Sequence, residues 1–179
     1  ISNLLNTNIK NVMYICKALE IEAEKLVDMN VIKTDVEAVL NRYYEKNPVA
    51  PNVRKAYNLN YMIIKKVCDR GNITEDECLH ILSEMKSIKK KYITSNDENV
   101  KEFIVEIRKV YAPYFLRGKA VNKYTEKMRY YQFIYNIKNS VIRDLLGCSQ
   151  SYYLNFSTGY VDLGTLSFVN AIKLAAIFN

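Results

Sequence analysis

The chain has 179 residues but only five glycines and three prolines. Sheets spend those residue types on turns, so their scarcity favours helices joined by few sharp corners. The apolar residues agree. Ile9, Val12, Met13, Cys16 and Leu19 share one helical face, and Ile21, Leu26 and Val27 follow after a turn near Glu20. Thr34 and Glu37 have capping-box spacing and predict a helix start running to about Lys46. Pro51 and Gly71 bracket a longer helix with the stripe Val53, Tyr57, Tyr61, Ile64 and Cys68. Thr74 and Glu77 repeat the capping-box spacing before Cys78, Leu79, Ile81, Leu82, Met85 and Ile88. A further helix is predicted from Asn96 or Asp97, through Phe103, Ile104 and Ile107, ending before Pro113. The expected fold is all-α, a multi-helix bundle of eight to ten helices.

Charge divides this chain. Residues 1–100 hold 15 Lys and Arg against 14 Asp and Glu. Residues 113–143 hold seven basic residues (Arg117, Lys119, Lys123, Lys127, Arg129, Lys138 and Arg143) against the single acid Glu126. A local excess of that kind suits a phosphate backbone or an acidic partner, and a solvated helix face explains it equally well. On this basis the expected division is a helical oligomerisation or sensor region, 1–112, and a basic helix plus DNA-contacting domain, 113–179.

Several functions lose support. No uncharged apolar run approaches transmembrane length, and the stretch Val12–Leu19 is short and carries Lys17, so neither a membrane span nor a leader is expected. A cytoplasmic protein is the expectation. Cys16, Cys68, Cys78 and Cys148 are widely spaced and no CxxC pair occurs. No metal site or cofactor is therefore expected, and four buried, reduced thiols is the preferred reading. The only histidine, His80, lies beside an apolar stripe and reads as a partly buried structural residue. No Gly-rich phosphate loop occurs, and Glu75, Asp76 and Glu77 read as first-turn helix charges. No catalytic residue is nominated.

The stretch LLGCSQSYYLNFSTG, residues 145–159, has its own grammar. Val141, Ile142, Leu145 and Leu146 line one helical face. Gly147 stands where a helix end wants a left-handed residue, and Ser149 is a good N-cap. Tyr152, Tyr153 and Phe156 give the next helix an apolar side, and Gly159 closes it. Leu166, Val169, Ile172, Lys173 and Ala176 continue as a last helix. The plan is helix, tight turn, helix.

Residues 139–179 resemble the Cro/C1-type (XRE-like) helix-turn-helix family of phage and bacterial repressors. The match rests on Leu145, Leu146, Gly147, Ser149, Gln150, Ser151, Tyr152 and Gly159, and on Leu174, Ala175, Phe178 and Asn179 at the end. The resemblance covers about a quarter of the chain. It implies a DNA-binding transcriptional regulator of phage or mobile-element type, with double-stranded DNA as partner. It places the second helix in the major groove and nominates Ser149, Gln150, Ser151 and Asn155, with Thr158 near the backbone and Asn139 at the start of the first helix. Gln and Asn can pair bidentately with adenine, and hydroxyls can hold phosphates. Lys119, Lys123, Lys127 and Arg129 of the preceding basic helix, about 117–138, would clamp the backbone.

This sequence departs from the family in three ways. Arg143 occupies the place of a small packed residue, Ser157 the place of an acid, and the loop after Gly159 is about three residues longer. Residues 139–179 also carry no net charge, Arg143 and Lys173 balancing Asp144 and Asp162. A second, partial similarity to the family's closing helices lies at about 8–30, on Ile15, Cys16, Lys17, Ala18, Leu19 and Leu26. Part of a further such domain and an ordinary amphipathic helix would both produce that phrase. The phrase LLGCS is similar also to the end of the tyrosine-recombinase catalytic region, whose His-x-x-Arg pattern is missing. The alternative to DNA binding is a helical protein-interaction module, or homo-oligomer, using its 15 tyrosines and a degenerate helix-turn-helix.

Overall fold

The structure is a computed structural model describing residues 2–95, 99–118 and 122–178. The protein is all-α. Among the described residues there are ten α-helices and no strand beyond one isolated bridge, Asn8 with Ser167. The chain forms two compact units: a terminal unit of residues 1–46, 120–129 and 137–179, and a central unit of residues 47–119 and 130–136. These boundaries differ from the division at residue 112 suggested by charge. Apolar stripes set them, and the N-terminal helices bury theirs against the last helix.

In the terminal unit, α1 (Ser2–Leu5) and α2 (Ile9–Leu19) precede α3 (Met29–Lys46). Asn8 caps α2 by accepting from the Asn11 N–H. Helix α3 starts five residues before Thr34, whose hydroxyl donates to the Asn30 carbonyl inside the helix. The capping box expected at Thr34 and Glu37 is therefore absent, because the chain is already helical there. Helix α8 (Asn139–Leu146), α9 (Gln150–Ser157) and α10 (Phe168–Phe178) complete the unit. Val12 and Cys16 of α2 pack with Phe168 and Ile172 of α10, with Leu5, Ile9, Leu26 and Ile32 around them. The backbone joins the same two helix starts: the Ile9 N–H donates to the Leu166 carbonyl, and the Phe168 N–H to the Thr7 carbonyl, each at 2.8 Å. Helix α10 also packs on α3 and α8.

The central unit is built from consecutive helices α4 (Val53–Asp69), α5 (Glu75–Thr94) and α6 (Val100–Phe115), each packed on the other two. Asn52 caps α4, and Thr74 and Glu77 form the predicted capping box of α5. Asn99 caps α6; Asn96 and Asp97, the expected starts, lie outside the described residues. Helix α6 runs through Pro113 instead of ending before it. In the final turn the ring forfeits little, and the Leu116 N–H still donates to the Ala112 carbonyl. Ile64, Ile81, Met85, Phe103 and Ile107 fill the core. Helix α7 (Lys123–Ile134) gives its first seven residues to the terminal unit and its last five to the central unit.

Three side-chain expectations are corrected. Cys68 and Cys78 form a disulfide across the α4–α5 turn, with Cα atoms 6.2 Å apart, within bridging range. Only Cys16 and Cys148 are free thiols, and Cys148 is half-buried. Facing stripes on antiparallel helices bring the two sulfurs together, which sequence spacing does not reveal. His80 is exposed and Leu79 is 60 % exposed, because the buried phase of α5 runs through Ile81, Met85 and Tyr92. Among the described residues no helix is long and apolar enough to cross a membrane, and no three metal-ligating side chains stand together.

Candidate functional site

Helix α8 buries Ile142, Leu145 and Leu146. It ends on Gly147 at φ 62, the left-handed conformation that glycine adopts without steric cost. Two residues later the Ser149 hydroxyl accepts from the Tyr152 N–H and starts α9. Helix α9 buries Tyr153 and Phe156, whose rings meet edge-on at 5.0 Å. Helix, left-handed glycine, serine cap and second helix are thus all present, in the order the sequence predicts.

The nominated residues differ in their availability. Gln150 and Ser151 lie exposed in the first turn of α9, and Asn155 lies exposed one turn further on. The spacing 150, 151, 154, 155 places all three on one face together with Leu154. Ser149 is committed as the cap. The Thr158 hydroxyl donates to the Leu154 carbonyl at 2.7 Å, so it serves the helix end. Asn139 is the first residue of α8, and its Oδ1 accepts from the Tyr153 hydroxyl at 3.3 Å. It therefore ties α8 to α9 in addition to being exposed.

Leu154, 44 % exposed, and Tyr160, 88 % exposed, were not nominated from the sequence. Leu154 was detectable, since it follows Gln150 by four residues. Tyr160 was not, because its position depends on the loop after Gly159, where the Tyr160 and Val161 N–H groups both donate to the Asn155 carbonyl.

The cations around this motif are largely committed. Arg143 pairs with Asp144, Lys10 with Asp162, and the Lys173 ammonium donates to the Leu145 carbonyl at the end of α8. On α7, Lys123 and Lys127 are exposed one turn apart and Arg129 is half-buried. Lys119 lies outside the described residues. The predicted basic helix of about 117–138 is narrower in fact, since α7 spans only Lys123–Ile134. Arg117 belongs to the central unit, where its guanidinium donates to Glu77 at 2.7 Å. That bond holds the Glu77 carboxyl below its usual range. Burial pushes the Cys148 thiol up, away from the reactive thiolate form.

No family model, no curated protein and no solved structure matches this chain.

Proposed function

We propose that the protein is a DNA-binding regulator of the kind phage and mobile-element repressors represent, presenting α9 to the major groove. The observation that carries this reading is the exposed face of α9. The Gln150 and Ser151 side chains stand there with no hydrogen-bond partner among the described residues, beside Asn155. An amide at a helix start, projecting from a rigid two-helix corner, suits bidentate pairing with adenine. Leu154 on the same face suits a thymine methyl. The α9 N-terminus and Ser151 suit a phosphate, and Lys123 and Lys127 supply cationic contacts from α7.

Fluorescence anisotropy on labelled duplex DNA tests this reading across a salt series. Gln150→Ala is expected to cost about 1–3 kcal/mol of discrimination at one base pair while leaving the salt slope unchanged. Lys123→Ala with Lys127→Ala is expected to weaken binding to every duplex and make the slope shallower. A parent protein that binds no duplex at low salt overturns the reading.

A protein-interaction module is the second reading. The neutral charge of residues 139–179 and the exposure of Leu154 and Tyr160 favour it. Tyrosine in particular suits a protein interface. It predicts no response to duplex DNA at any salt concentration.

A further inference from the structure

The central unit carries most of the positive charge. Its segments hold 14 Lys and Arg against nine Asp and Glu, a net +5, while those of the terminal unit hold 12 against ten, a net +2. Within the α4–α5 hairpin most of the acids gather at one end, where Arg70 also lies. Asp69, Glu75, Asp76 and Glu77 gather at the turn, and Glu77 is taken by Arg117. Glu84 precedes Lys91 by two helical turns, on the side of α5 where Lys91 meets Glu106 of α6.

The other side of the hairpin is basic, its cations flanking a buried Tyr57 and a half-buried Tyr61. Arg54, Tyr57, Tyr61 and Lys65 follow one another at helical spacing along α4, and the two tyrosine rings stack at 6.1 Å. Lys89 of α5 lies over the Tyr57 ring at 4.1 Å, fixing which side of α5 meets this stripe. Lys86 and Lys90 lie one turn apart beside Lys89. Arg54, Lys65, Lys86 and Lys90 are exposed and have no ion-pair partner among the described residues.

We infer that this face of the α4–α5 hairpin is a second DNA contact, binding the duplex phosphate backbone without reading sequence. Unpaired cations on a helical hairpin gain by releasing the counterions condensed on DNA. The packing of α4 on α5 places them on two helices that share one core. The inference rests on the DNA-binding reading for its choice of ligand, whereas its charge argument is independent of α9.

The test uses the full chain and a panel of labelled duplexes of different sequence across a salt series. Two variants are compared with the parent, Lys86→Gln with Lys90→Gln and Arg54→Gln with Lys65→Gln. All four side chains are exposed, so the fold is expected to persist, as circular dichroism checks. Each pair is expected to weaken binding to all duplexes and make the slope of log affinity against log salt shallower by about 1.8. A Gln150→Ala, Ser151→Ala variant keeps the parental slope. If the parent binds and both lysine and arginine pairs match it, the hairpin inference is overturned and the α9 reading stands. If the pairs weaken binding but Gln150→Ala, Ser151→Ala changes no sequence preference, the α9 reading is overturned and the hairpin contact stands. No binding by the parent at low salt overturns both.

Discussion

The central unit folds mostly from chain neighbours, whereas the terminal unit is stitched from three segments. In the first, α4, α5 and α6 follow one another through short turns and bury one another's stripes. In the second, Val12 and Cys16 find Phe168 and Ile172 more than 150 residues away. The helix-turn-helix motif itself is local, and its flanking support is not. Charge follows the opposite pattern to the motif: the unit bearing α8 and α9 is nearly neutral, and the unit without them is basic. The helix–turn–helix corner and the excess of positive charge are thus carried by different parts of the chain.

The largest expected effect tests the stitching. Phe168→Ala removes a ring that is only 5 % exposed and should cost about 3–5 kcal/mol. Hydrogen exchange should accelerate in α2 and α10 together, while α4–α6 amides keep their protection. Acceleration in α10 alone breaks the claim that the N-terminal helices depend on the last one.

Reduction of Cys68–Cys78 probes the local unit. The bridge closes a separation of ten residues, so losing it should cost about 2–3 kcal/mol through the freed chain entropy of the unfolded state. The loss should be read in α4 and α5 by hydrogen exchange with and without reductant, with α8–α10 unaffected. Equal protection in both conditions removes the bridge from the account of this unit.

The smallest effect concerns a buried polar pair in the central core. The Tyr111 hydroxyl donates to Asn60, which also donates to the Ala56 carbonyl. Tyr111→Phe leaves an Asn60 acceptor unmet and should cost about 1–3 kcal/mol. Burial, opposed by nearby Arg108, pushes the Tyr111 hydroxyl from 10.0 up to about 12. The folded state therefore keeps a proton that the unfolded chain loses, and this stabilisation is complete below pH 10 and falls away as pH rises toward 12. Denaturant midpoints measured across that window should decline less steeply for Tyr111→Phe than for the parent.

Much of the candidate site was legible because it is local. Gly147 needs a left-handed backbone, Ser149 needs only the amide three residues on, and the stripe of Leu145 and Leu146 needs only helical period. The capping box at Thr74 and Glu77 was readable for the same reason. The identical spacing at Thr34 and Glu37 misled, since upstream packing of α3 on α10 extends the helix past it. Thr158 carries the right chemistry for a phosphate contact but spends it on its own helix end.

The sequence by itself determined the all-α class, most helix stripes and the helix–glycine–serine–helix corner, because each depends on residues within a turn or two of one another. Only the tertiary structure decided that residues 1–46 belong with the last helices. It alone paired Cys68 with Cys78, tied Arg117 to Glu77, and ranged exposed cations along the α4–α5 hairpin. Those outcomes depend on which faces meet across the fold, and helical periodicity gives the phase of a face but not its partner.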